Sequence, residues 1–479
     1  MGALMQRRDL MLGVAGLILS PSAVLAEDSP FVGPWYGTLL VESAGTATRL
    51  RLELKPDGTA ELVDMDISGS PYKGRVTSQT STDVTVEIAL VDAADSQVIF
   101  QGRAVGDRLE GTWIQGPFKL PFILNKGDPP GWSDWAIYAT PVSALSKARL
   151  EIYRRTFQIP ALAAGVRKDG RTSVWSTGRR RADAEVPVHD TDQWRMGSIS
   201  KSMTATLVAR LVEAGHVRWD DTIGDVLGGA VVATQPSYGR ATYRNLLTHR
   251  AGLIGNLPAD VLERFSFEAL GPRSERLNYV GQALAAPPVA AVGEKFSYSS
   301  AGYVTAAAML EATTGKSWEA LMRRHLFAPL GLASAGFGSP GHAGRIEQPF
   351  GHKLGLHGYQ VVRAGGGLHD IPAVVGPAGG VHINLTDLLA YLAAHGQQQS
   401  PFLSAESWQT LHTPPPGGDY AMGWSVTPEG NLVHGGATAL WLAQVMIDPR
   451  QGTCAAAATN VNGAFRAVNR SIREAAISA

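Results

Sequence analysis

The chain has 479 residues, 44% of them hydrophobic, and its 42 basic residues are balanced by 42 acidic ones. This length exceeds what one core usually holds, so two folded units are expected, and the apolar content excludes a disordered chain. The balanced charge, with no basic stripe, excludes a nucleic-acid partner.

Residues 1–26 read as an export signal: Arg7 and Arg8, an apolar run from Leu10 to Leu19, and the small-residue cleavage site Val24-Leu25-Ala26. This predicts a mature chain beginning at Glu27, periplasmic or secreted, and the paired arginines before Asp9 and Leu10 fit a twin-arginine route. The apolar run is too short to span a bilayer, so no stable membrane anchor is expected after cleavage.

From Phe31 to Leu124 apolar and polar residues alternate between turn signals, as in Leu50-Arg-Leu-Glu-Leu-Lys followed by Pro56-Asp-Gly. The pattern predicts a small all-β domain over 27–128, with Gly37 and Gly111 at tight corners of a closed or curved sheet. It gathers no acid, base and nucleophile, and no chemistry is assigned to it. Lys126-Gly-Asp-Pro-Pro-Gly-Trp132 halts regular structure, which places a linker over 129–140 and a second unit over 141–479.

The second unit opens with a helix and a hairpin, Pro160 to Val166 and Thr172 to Trp175 around Lys168-Asp-Gly-Arg. It closes with a strand pair, Leu440 to Ile447 and Thr453 to Ala458, and an amphipathic helix carrying Phe465, Val468 and Ile472. Strands at both ends with helices between predict an α+β fold: an antiparallel sheet flanked by helices, with a mostly helical insert. The stretch from Gly336 to Gly380, rich in glycine, proline and histidine, reads as a binding loop or mobile cover. Cys454, the single cysteine, lies in an apolar run that reads as inert core.

Three segments carry chemistry. In Arg195-Met-Gly-Ser-Ile-Ser-Lys, Ser198 and Lys201 stand three residues apart at a helix start, so an amine can reach a hydroxyl proton. Met203, Leu207, Val208 and Leu211 continue the helix, with Gly215 as its cap. By itself this spacing fits a capped helix with a solvated lysine equally well, and a second copy, Ser70-Pro-Tyr-Lys73, falls among β signals and reads as chance. In Phe296-Ser-Tyr-Ser-Ser-Ala-Gly302, Tyr298 precedes an apolar helix; in Leu432-Val-His-Gly-Gly-Ala437, His434 precedes two glycines on a strand, whose bare backbone can approach a substrate carbonyl. Ser200 and Ser202 read as surface or packing hydroxyls. The spacings of His342, His352, His357 and His369 match no ligand pair, so loop histidines are expected and no metal. Gly365-Gly-Gly367 and Gly379-Gly380 lack a phosphate-loop context and read as turns.

Together the three segments resemble the signatures of the penicillin-recognising serine hydrolases, the superfamily of class C β-lactamases, D,D-peptidases, D-aminopeptidases and related esterases. The resemblance covers about 141–479 and includes, in family order, Leu211 to Asp221, Asn245 to Leu253, Pro329 to Leu332 and Met422-Gly-Trp424. It implies a β-lactamase-like catalytic domain in which Ser198 is the acylated nucleophile, Lys201 helps remove its proton and Tyr298 shuttles protons to the leaving group. It further implies that His434, Gly435 and Gly436 form the third motif, and that the backbone N–H groups of Ser198 and Ala437 form the oxyanion hole. Which of Lys201 and Tyr298 acts as base stays open, and no cofactor is implied.

Two departures shift the expected substrate. Ser300 stands where many members carry a substrate-binding asparagine, and a hydroxyl donates only one hydrogen bond. His434 replaces the usual lysine, weakening the pull on a substrate carboxylate. The expectation is an exported serine hydrolase of an ester or amide (an esterase, D-amino-acid peptidase or β-lactam substrate), with an esterase-like leaning. Its partner would be a small molecule or peptide, cell-wall fragments included. The alternative is a non-catalytic relative that binds peptidoglycan or a peptide.

Overall fold

The computed structural model describes residues 24–41, 46–64, 72–89, 97–115, 118–127, 142–231, 235–267, 273–342, 344–355, 358–362 and 371–478. Most of the expected export signal, the expected linker, Ser70, His357, His369 and Gly365-Gly-Gly367 lie outside the described residues.

Eight strands from β1 (Gly33–Val41) to β8 (Phe118–Lys126) pair in sequence order and close into an antiparallel barrel, β8 returning to β1. The glycines turn the strands as expected: a Cβ on Gly37 would overlap the carbonyl of Ile123, and one on Gly111 that of Gln101. An eight-stranded barrel is narrow enough for side chains to fill its interior. Trp35, Leu50, Leu52, Phe100, Trp113 and Phe122 are buried there, with the Phe100 ring 4.7 Å from Trp113 and 5.2 Å from Phe122. Leu25, inside the expected cleavage site, is 2% exposed and packs into this core.

The second unit begins with α1 (Lys147–Thr156) and builds a six-stranded antiparallel sheet from both its ends. β9 (Ala161–Lys168) and β10 (Arg171–Gly178) come from its start; β16 (Ser425–Val426), β17 (Leu432–Ala437), β18 (Leu442–Asp448) and β19 (Thr453–Thr459) come from its end. Their order is β10-β9-β19-β18-β17-β16, so first and last strands meet at β9 and β19. Every residue of β19 is buried. Ala455 and Ala457 pack with α1 and the C-terminal helix, Phe465–Ile477, while Ala456 and Ala458 join the core of the helical insert. A strand covered on both faces reads as an unbroken apolar run, which is why Cys454 sits in one and why burial raises its thiol pKa to about 12.

Between these strands lie α2 (Ser200–Glu213), α3 (Tyr243–Leu247), α4 (Ser300–Thr314), α5 (Leu385–Gly396) and α6 (Ala405–His412), among shorter helices. The side chain of Ser299 caps α4 by accepting from the Gly302 N–H, and Gly315 ends it at φ 70°. The stretch after Gly336 is more ordered than its composition suggests: it contains β12 (Gly336–Phe337), β13 (His352–Gly355), β14 (Gly358–Val361) and the short helix Gly376–Gly379. His352, expected in a loop, is fully buried on β13, where its Nε2 accepts from the Ala182 N–H at 3.0 Å. Its neighbours are distant in sequence, so local composition did not show them.

Candidate active site

Ser198 sits in a 3-10 turn, Gly197–Ile199, that runs directly into α2. Lys201, one turn further, is fully buried, with Nζ 3.1 Å from Ser198 Oγ and 2.9 Å from the Ala378 carbonyl oxygen. The same helix face ties itself to that wall twice more: Thr204 Oγ1 donates to Pro377 O, and Ser200 Oγ accepts from the Val381 N–H. Ser200 and Ser202 are therefore packing hydroxyls, both fully buried, and neither lies on the surface. The wall belongs to the stretch expected as a loop or cover, and it anchors the amine that faces the serine.

Two glycines bring β17 against Ser198. A Cβ on Gly197, whose φ is +49°, would lie 2.7 Å from Ala437 N, and one on Gly436 would overlap Met196 O and lie 3.0 Å from Ser198 N. With no side chain at either point, the amides of Ser198 and Ala437 come to neighbouring positions. The Thr438 N–H bonds back to Trp441 O. Along a strand, successive N–H groups point to opposite edges, so that of Ala437 faces away from β18. β16 reaches only Leu432 and Val433, and leaves this part of the edge unpaired.

Tyr298 is 41% exposed, and Lys201 Nζ lies 4.8 Å from its ring centroid. Ser300 is the first residue of α4, and its N–H donates to Gly255 O at 2.7 Å. Beneath Tyr298 lies His249, its ring centroid 4.3 Å away, with Tyr303, Phe296 and Tyr420 closing round it. Burial, then the nearby Lys201 charge, lowers the His249 pKa well below the ordinary histidine value.

His434 is buried, and both of its ring nitrogens are committed within the protein: Nδ1 to Gly435 O at 2.7 Å and Nε2 to the Tyr420 hydroxyl at 3.1 Å. Burial and Lys201 push its pKa down to about 4, so the ring is neutral at physiological pH. The Tyr420 pKa is raised well above its usual value by burial, so its hydroxyl keeps the proton it donates.

Ser198, Lys201, Tyr298, His434, Gly436 and Ala437 thus converge, with Ser300 and Gly435 adjacent to them in the chain. Sequence reasoning assigned no role to His249, Ala378 or Tyr420. His249 and Met422-Gly-Trp424 lay in stretches of family likeness, and the second now has a cause: a Cβ on Gly423 would lie 2.5 Å from Ser202 Cα. Only glycine lets that turn press on the helix bearing Lys201. Among the described residues no cluster of three His, Cys, Asp or Glu could hold a metal ion, and no helix is long and apolar enough to cross a membrane.

The fold and these three converging segments define a β-lactamase-like domain behind a small β-barrel. The family model described as Beta-lactamase matches residues 148–477, and the chain belongs to that family. Penicillin-binding protein 4 of Amycolatopsis lactamdurans is 31% identical over 248 residues, a match spanning 52% of this chain and 62% of that protein. Among solved structures, the D-amino acid amidase of Ochrobactrum anthropi SV3 aligns with TM-score 0.56 and 19% identity over 68% of this chain and 96% of its own. EstCE1, described as a hydrolase with promiscuous acyltransferase activity, aligns with TM-score 0.56 and 19% identity over 69% of this chain and 98% of its own. At such identities these two structures speak for the fold.

Proposed function

We propose that this protein is an exported serine hydrolase that forms an acyl-enzyme on Ser198 with esters or amides whose leaving side carries no free carboxylate. The observation that carries the reading is the 3.1 Å contact between Lys201 Nζ and Ser198 Oγ beside the amides of Ser198 and Ala437. Ser198 Oγ bonds to the acyl carbon as its proton passes to the amine of Lys201, and the two N–H groups stabilise the oxyanion until the bond from the acyl carbon to the departing group breaks. Tyr298, beside Lys201 and partly exposed, gives its proton to the departing group and regains one from Lys201, which so passes on the proton taken from Ser198. Water then cleaves the acyl-enzyme and restores Ser198. The neutral, internally bonded His434 gives the third motif no cation for a carboxylate, while exposed Phe296 and Tyr298 offer an apolar platform.

The test is the intact mass of the protein after a fluorophosphonate probe, beside Ser198→Ala, followed by rates on amino-acid amides, short-chain esters and peptides ending in a carboxylate. A single adduct absent from the variant, with neutral substrates preferred, is expected. Absence of an adduct from both proteins would replace this reading with that of a peptidoglycan- or peptide-binding relative. A tenfold preference for carboxylate-ended peptides would refute the substrate assignment alone.

A further inference from the structure

We propose that His249 is the positioning residue that holds Tyr298 beside Lys201, an inference that rests on the hydrolase reading. Three contacts converge on that one tyrosine. The His249 carbonyl accepts the N–H of Ser297 at 2.8 Å, its Nδ1 accepts the N–H of Ser299 at 3.0 Å, and its ring lies 4.3 Å beneath the Tyr298 ring at an interplanar angle of 37°. Both chain neighbours of Tyr298 and its ring face are therefore held by a single residue. The histidine is 1% exposed and adopts φ 58°, a left-handed conformation in which a side chain other than glycine is uncommon.

The contacts also settle the form of the imidazole. With Nδ1 accepting, the ring proton is on Nε2, which has no hydrogen-bond partner among the described residues and is enclosed by aromatic rings. A second proton would occupy Nδ1, release Ser299, and place a cation near Lys201. The groups facing His249 are Lys201 from α2, Tyr303 from α4, Phe296 and Tyr298 from the turn before it, and Tyr420 and His434 from the C-terminal part. None is an acid that would reward protonation, and the clamp works as neutral imidazole.

Tyr298 matters most when the departing group needs a proton. The experiment compares the full-length protein with His249→Asn, which tolerates the left-handed backbone but lacks the ring, on an amide and a p-nitrophenyl ester of the same acyl group. The expected result is a fall in amide kcat of about 10- to 100-fold with little change in KM, the scale of loss typical of misplaced groups. The ester, whose phenolate leaves unprotonated, should lose less than about threefold, and Tyr298→Phe/His249→Asn should be no worse than Tyr298→Phe. Equal losses on both substrates, or multiplying losses in the double variant, would overturn the clamp. His249→Phe, which retains a ring, is read the same way if the asparagine variant does not give the wild-type circular dichroism. A wild type unlabelled at Ser198 would instead refute the hydrolase reading, whereas a labelled wild type matched by the variant on amides would refute only the clamp.

Discussion

The hydroxyl of Tyr420 donates to Nε2 of His434 at 3.1 Å, joining the turn that precedes Met422-Gly-Trp424 to the strand that carries Ala437. One segment presses on the helix of Lys201 and the other carries the amide of Ala437, so this bond couples the two sides of Ser198.

Tyr420→Phe keeps the ring but leaves Nε2 a buried acceptor without a donor. Such a loss costs about 1–3 kcal/mol. Urea unfolding should show it as a lower midpoint with an unchanged slope, and an unchanged midpoint would mean the bond is dispensable.

Adjacent glycines of the third motif should respond oppositely to one methyl group. Gly436→Ala drives a Cβ into Met196 O and should abolish turnover by separating the two amides, whereas at Gly435 the nearest atom to an added Cβ is 3.9 Å away. Gly435→Ala should retain most activity. Comparable rates for the two variants would contradict the close approach of β17 to Ser198.

Acid should destabilise the fold before carboxylates titrate. Burial lowers the pKa of His249, His352, His382, His395, His412 and His434, to about 4 for His352, His382, His412 and His434. The unfolded chain binds these protons near 6.5, so the stabilisation is complete above that value and disappears as pH falls from about 6.5 toward 4. His395 and His412 are hydrogen-bonded to each other at 2.9 Å, an arrangement that holds only while at least one is neutral. The thermal midpoint should fall steadily between pH 7 and 4.5; a flat profile would show that these rings titrate normally.

Arg276 is fully buried between Glu311 and Glu319, with Nη2 2.6 Å from Glu319 Oε1. Arg276→Met would leave the two carboxylates without the cation that lies between them. Removing one member of a buried pair costs about 3–5 kcal/mol, and a chemical denaturation curve would register it.

What the sequence made legible was whatever depends on near neighbours. Ser198 and Lys201 share one turn, Gly435 and Gly436 directly follow His434, and the corners at Gly37 and Gly111 follow from local alternation. The clamp at His249 escaped notice because its partners lie on a different helix start, and Ala378 because a backbone carbonyl has no residue signature. His352 was misread for a related reason: strand β13 is short, and its burial comes from Ala182 and Asn460. Composition around it resembled a loop because the surrounding glycines serve close packing, as at Gly351, where a Cβ would meet Leu440 and Trp441.

The pairing of β9 with β19 has a consequence for biogenesis. Strand β9, paired early with β10, finds its second partner only after nearly the whole domain has been synthesised, and long-range pairing of this kind is slow. Until then the edge of β9 is open, the C-terminal helix cannot cover it, and the amide of Ala437 has no scaffold from which to face Ser198. A nascent or truncated chain would thus carry the serine and lysine on their helix yet be inert. Activity would arise in a single late step, after the ribosome has released the last strands.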